Sequence, residues 1–213
     1  MGATLDPAGN VYVVTGNGES RSAFDYSDSV IELSPDLQTV KSYFAPSNWI
    51  ALSAEDTDLG ALGATVLPSA GLVLAVGKDG VAYLLAAGQL GGIGGQVAKL
   101  SFCGGAFGGT SWSGTTVYVP CVDGLYALSL DNRSIGVLWH RSRPALASPI
   151  ISAGVVWAIE PSSGVLYAMD PSTGATLYST GLGRAAHFST PAATDGFVVV
   201  PAGSIVVAVS VVG

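Results

Sequence analysis

The chain has 213 residues, of which 49% are apolar and only 11% charged, and its net charge is −7. That composition excludes a disordered or heavily solvated chain. Eight Lys and Arg residues are too few for the basic footprint that a phosphate backbone requires, so no nucleic-acid partner is expected. No apolar run approaches the roughly 18–20 residues of a spanning helix, the longest being Leu72–Val76 and Ile205–Val209, and no transmembrane segment is predicted. These short continuous runs, broken by Gly, fit strands buried on both faces rather than the alternating strands of a membrane barrel. The first ten residues have neither a basic start nor an apolar core and do not read as a signal peptide.

In chain order, a first strand pair is predicted at Val11–Gly16 and Ser29–Leu33. A strand–turn–strand unit then recurs at 72–85, 117–128, 155–169 and 197–209. Its turn glycines, Gly80, Gly124, Gly164 and Gly203, mark a period of about 40 residues, the length of a four-stranded propeller blade. Asp-Gly and Ser-Gly suit tight hairpins because Gly tolerates positive φ. The amphipathic pattern that a helical repeat of this period needs is missing. The expected fold is all-β: one β-propeller domain over 1–213 built of four-stranded antiparallel blades. Complete blades are expected at 3–45, 60–102, 106–141 and 148–181, with a partial fifth at 189–212. Two arrangements follow, a five-bladed ring with an unfinished blade or, favoured, the C-terminal portion of a ring of seven or eight blades. An opened ring would leave strand edges and an apolar blade face exposed, which predicts association with protein partners through the ring face or strand edges.

Cys103 and Cys121 are the only cysteines. A hairpin turning near Ser113–Gly114 brings Cys121 back towards Phe107, close in sequence to Cys103. A disulfide is expected, which would place the protein in an oxidising compartment; two buried free thiols are the alternative.

The segment Ala168-Met-Asp170-Pro-Ser-Thr173-Gly174-Ala-Thr-Leu-Tyr178 resembles the tryptophan-docking motif of the PQQ-binding-like (quinoprotein or BamB-like) propeller repeat, with Tyr178 in the Trp position. In such a turn Asp170 bonds its own backbone amides, Gly174 supplies a special dihedral, and the aromatic clamps neighbouring blades. Ala127-Leu-Ser129 matches loosely, reaching Trp139 two positions late. Residues 25–35, 43–49, 56–60 and 90–96 also look like bacterial members of this family that are secreted or bound to the envelope.

The first two blades resemble quinoprotein alcohol dehydrogenases as well. That resemblance implies three roles. Asn17, in Thr15-Gly16-Asn17, would be a calcium ligand beside PQQ. Asp25 would be the catalytic base, with Asp28 as the alternative, and Lys78, in Gly-Lys-Asp-Gly, would contact the quinone. The residue types suit the chemistry: an amide oxygen for a hard cation, a carboxylate for the alcohol proton, and a cation for charge on the quinone oxygen. The acidic calcium ligand, the adjacent Cys-Cys pair and the stacking Trp of those enzymes have no match here. Ordinary turn or surface roles are the alternative for all three residues.

Other motifs carry less. Glu55, Asp56 and Asp58 lack the EF-hand spacing and read as a solvated loop. Gly91–Gly95 fits no phosphate-binding pattern, and His140 and His187 have no nucleophile elbow to serve. Asn132-Arg-Ser134 is a formal glycosylation sequon. The expected function is a non-catalytic binding or scaffold propeller of the bacterial envelope or exterior, secreted or periplasmic. The alternative is a fragment of a PQQ- and calcium-dependent alcohol or sugar dehydrogenase, with those cofactors belonging to a longer parent.

Overall fold

The computed structural model describes residues 2–186 and 188–211; His187 and Val212, both given places from the sequence, lie outside them. By contact, the chain forms two compact units, Met1–Ala106 with Leu130–Gly136, and Phe107–Ser129 with Val137–Gly213.

In the first unit, β1 (Thr4–Leu5), β2 (Val11–Val14), β3 (Val30–Leu33) and β4 (Val40–Ala45) form an antiparallel meander. A seven-residue helix, α1 (Trp49–Glu55), and a 3-10 turn (Leu59–Ala61) lead into the second sheet. That sheet begins with β5 (Thr65–Leu67), β6 (Leu72–Val76) and β7 (Val81–Ala86). A short strand, β8 (Gly92–Ile93), returns to pair in parallel with β4, and β9 (Ala98–Ser101) completes the second sheet beside β7. One face of each sheet joins a shared core: Tyr12, Val30 and Phe44 pack with Val66, Val73, Ala75, Tyr83 and Leu85.

The remaining sheets follow the same order. The third contains β10 (Ser111–Ser113), β11 (Thr116–Cys121), β12 (Gly124–Leu130) and β13 (Ile135–Ser142). The fourth contains β14 (Ile150–Ser152), β15 (Val155–Glu160), β16 (Val165–Met169) and β17 (Thr176–Gly181). The last has three strands among the described residues: β18 (Ala192–Thr194), β19 (Phe197–Ala202) and β20 (Ile205–Ser210).

The central strands of the complete sheets are apolar at successive positions because both of their faces are covered. On β15, Val156 and Ala158 face a core with Tyr118, Leu125, Ala127 and Trp139. The intervening Trp157 and Ile159 face a second core with Val198 and Val200. Residues one apart on a strand point to opposite faces, so a single strand serves two cores.

Turn chemistry recurs as well. Between the third and fourth strands, Asp36, Asp131 and Asp170 each accept backbone N–H groups of their own turn, from Gln38, from Arg133 and Ser134, and from Ser172 and Thr173. Bonds from Ser34, Ser134 and Ser172 respectively are the leading cause that holds these carboxyls below the ordinary range. The Asp170 turn is the docking platform expected from the sequence, but the ring that docks there is Trp139, which is 9% exposed. Its Nε1 donates to the Pro171 carbonyl at 2.9 Å, and its ring crosses Gly174, where a Cβ would lie 2.6 Å from Cε3. Tyr178, the motif aromatic, is 47% exposed and meets only the edge of Trp157 at 6.5 Å among the described rings.

Gly174 has φ +69°, so a side chain there meets both the indole and a disfavoured backbone. Gly174→Ala is expected to cost about 2–4 kcal/mol from overpacking and backbone strain, read as a fall in the urea midpoint at unchanged slope.

Candidate functional site

The three residues singled out by the dehydrogenase resemblance all lie in the first unit, on the loop after β2 and the hairpin between β6 and β7. Two of them converge. The Asn17 side-chain amide donates to Asp56 Oδ1 at 2.8 Å, and Lys78 Nζ lies 3.2 Å from the same oxygen. Lys78 also forms a close ion pair with Asp58, and Asp58 Oδ1 accepts the Asn17 backbone N–H at 3.0 Å. Backbone contacts hold this arrangement, since the Lys78 N–H donates to the Asp58 carbonyl at 3.0 Å.

Asp25 is not part of the cluster. Its carboxylate accepts the N–H groups of Ser20 and Ser27 within its own loop, at 3.3 and 3.1 Å. Bonding from Ser27 is the leading cause that lowers its pKa below the usual range. Asp28, the alternative base, is fully buried. Its Oδ2 accepts from Ser53 at 2.5 Å and its Oδ1 accepts the Leu59 N–H at 2.9 Å. It serves as a tie between the loop, α1 and the following 3-10 turn.

The acids that organise the cluster, Asp56 and Asp58, sit on the segment expected to be a solvated loop. Their role follows from α1, which is buried through Trp49, Leu52 and Ser53 and ends at Asp56 in the left-handed region, φ +55°. That ending directs the chain across the β6–β7 hairpin. Nothing in the local sequence marks this crossing except the acid spacing itself.

The electrostatics are those of a closed ion-pair group. Asp58 raises the pKa of Lys78, and Asn17, followed by Lys78, lowers that of Asp56. The position beside both carboxylates is held by the Lys78 ammonium, so the residues as arranged do not fit a calcium ion there. Neither cysteine offers a thiolate ligand, since Cys103 and Cys121 are both disulfide-bonded and no cysteine is free.

In the same unit, Phe24, Tyr26, Tyr43 and Trp49 form an aromatic cluster with centroids 5.0–5.5 Å apart. His140, in the second unit, stacks on Tyr126 at 3.9 Å, and its Nε2 lies 3.1 Å from the Asp123 carbonyl oxygen. These contacts account for it without a catalytic partner.

The other distinctive surface is the last sheet. β19 and β20 pair without a register shift from Phe197↔Ser210 to Ala202↔Ile205. Val198 and Val200 are buried against the fourth sheet, whereas Phe197, Ile205 and Val206 are exposed, Val206 by 69%. No residue from Phe197 to Val211 is charged. Between β20 and the fourth sheet lies a cavity of ≈ 300 Å³ lined by Val155, Trp157, Ala168, Leu177, Tyr178 and Val211, among others.

No family model and no curated protein matches the chain. Solved structures do. BamB from Moraxella catarrhalis superposes with a TM-score of 0.71 over 99% of this chain, at 14% identity. The fold is that of a β-propeller. The propeller domain of Cps50 (Swd1) from Myceliophteria thermophila gives 0.62 at 12% identity over 94% of this chain, and a chain of a mitotic checkpoint complex gives 0.65 at 11%, also over 94%. This chain spans 60% of the BamB chain, 60% of the Cps50 chain and 56% of the checkpoint chain.

Two outcomes check the geometry of the polar cluster. Asp28→Ala is expected to cost about 2–3 kcal/mol in chemical denaturation, because it strands the buried Leu59 N–H and the Ser53 hydroxyl. The Lys78–Asp58 pair raises a lysine pKa in the folded state. Its contribution is therefore complete below the ordinary value of 10.5 and is lost as pH rises through the raised value. The stability gap between wild type and Asp58→Asn is thus expected to be constant from neutral pH up to 10.5 and to narrow above it, as measured by melting against pH.

Proposed function

We propose that this is a non-catalytic binding propeller that works in an oxidising compartment, at the bacterial envelope or outside the cell. The observation that carries this reading is the uncharged, β-branched strand pair of the last sheet, on which Phe197, Ile205 and Val206 are exposed among the described residues. Such surfaces are rare on monomers and mark association sites. The disulfide supports the oxidising compartment. The likeness to BamB and to a chain of a mitotic checkpoint complex accords with a binding role.

One observation favours the dehydrogenase reading: Asn17 and Lys78 meet on the same carboxylate. That reading needs Asp56 or Asp58 released from Lys78 before either serves a cation, and Asp25 freed from its own loop.

Two measurements on the purified chain separate the readings. Sedimentation velocity is expected to show concentration-dependent association that Val206→Lys suppresses. Calorimetry with PQQ is expected to show no calcium-dependent binding. Tight calcium-dependent binding that Asn17→Ala weakens would replace the binding reading with the dehydrogenase one.

A further inference from the structure

A tyrosine three residues past the hairpin glycine occurs in two of the sheets: Tyr167 after Gly164, and Tyr83 after Gly80. In the fourth sheet this side chain meets both a cation and a carboxylate. The Arg143 guanidinium lies over the Tyr167 ring, 4.0 Å from its centroid, and Arg143 Nη2 donates to Thr176 Oγ1 at 3.2 Å. The Tyr167 hydroxyl donates to Oε2 of the buried Glu160 at 3.3 Å. Cation, ring and carboxylate thus form a series that the chain itself supplies.

Tyr83, in the second sheet, has the carboxylate without the cation. Burial, followed by the charge of Asp79 beside it, pushes the Tyr83 pKa far up, and burial also raises the Asp79 carboxyl above its ordinary range. Asp79 Oδ1 accepts the Val81 N–H at 3.1 Å. Among the described residues, Asp79 has no ion-pair partner. A partly dehydrated carboxylate without a counter-charge is a costly arrangement. Beside it, within the first unit, lies a cavity of ≈ 440 Å³ lined by Asp79, Tyr83, Asn48, Lys99 and Ser101, among others. Lys99 and Ser101 stand opposite Tyr83 and Val81 on the paired strand β9. Lys99 is therefore about 7 Å further from the Asp79 hairpin than Ser101 is, at roughly 3.4 Å per residue. The lining carries a carboxylate at one end and an ammonium at the other, with Asn48 and Ser101 as neutral hydrogen-bonding groups.

We propose that this cavity binds a free basic amino acid. Its cationic side chain lies against Asp79 and Tyr83, as Arg143 lies against Tyr167, and its carboxylate meets Lys99. A neutral ligand would leave Asp79 uncompensated, and a simple cation would leave Lys99 facing a like charge. A basic zwitterion pairs both. The volume suits a molecule of this size, and a few convergent polar groups on a partly apolar wall are the usual make-up of a small-molecule site. The cavity is distinct from the Asn17–Lys78 group, whose ammonium is engaged by Asp56 and Asp58. It also makes no use of the exposed last sheet, so it stands independently of the association reading above.

The test is isothermal titration of the full 213-residue chain with L-arginine, which is expected to show saturable binding. Citrulline, whose neutral urea replaces the guanidinium, should bind at least about tenfold more weakly, because it leaves the Asp79 charge unmet. Asp79→Asn retains an oxygen to accept the Val81 N–H and should weaken arginine by at least about tenfold. Lys99 is exposed, so Lys99→Glu leaves the fold intact while opposing the ligand carboxylate, and it too should weaken arginine by at least about tenfold. Absence of saturable binding, citrulline bound as tightly as arginine, or unchanged affinity in Lys99→Glu or in a folded Asp79→Asn chain would overturn the proposal. If Asp79→Asn does not fold, Lys99→Glu and citrulline decide it.

Discussion

A sheet that is apolar on both faces cannot rest until something lies against each of them, and this requirement organises the protein. Burying one large apolar side chain is worth about 1.5–3 kcal/mol, so each sheet's free energy depends on its neighbour as much as on its own hydrogen bonds. β15 shows the mechanism: Val156 and Ala158 belong to one core, and Trp157 and Ile159 belong to another. Stability then propagates from sheet to sheet, as in other repeat architectures. At β19 and β20 the same composition leaves Phe197, Ile205 and Val206 exposed among the described residues.

The polar chemistry of the first unit obeys a different rule. Asp28 is buried with both carboxylate oxygens engaged, and Asp56 and Asp58 surround the Lys78 ammonium. Each charge is met by a donor or an opposite charge, a requirement for the buried Asp28 and, for the exposed Asp56, a matter of geometry rather than burial. The cluster binds the inserted α1 segment to the sheet edge. Its own charges satisfy one another, and this sets it apart from the last sheet, which carries no charge from Phe197 to Val211.

The repeat was legible because hairpins leave a strong local trace. Gly80, Gly124 and Gly164 stand where a crossing strand and a positive φ both exclude a side chain, so the spacing of one residue type reports the spacing of sheets. The Asp170 turn was legible for the same reason, since all its bonds lie within five residues. The aromatic partner of that turn was misassigned. The motif pointed to Tyr178, whereas the ring over Gly174 is Trp139, thirty-five residues earlier in the chain. A docking contact between sheets is a long-range event, and spacing within one repeat does not encode it. The pairing of the acids at 56 and 58, which read as a solvated loop, was not legible either: their partners Asn17 and Lys78 are brought to them by the course of α1, not by proximity in sequence.

By itself the sequence determined the all-β class, the four-strand repeat and the hairpin positions, because period, turn glycines and strand composition are local and each has one low-energy solution. The tertiary structure alone decided which side chains meet. It put Lys78 between two carboxylates, closed Asp25 into its own loop, and set Trp139 on Gly174. Those outcomes depend on how separate segments cross. Crossings are fixed by packing over the whole unit, not by any residue's intrinsic preference.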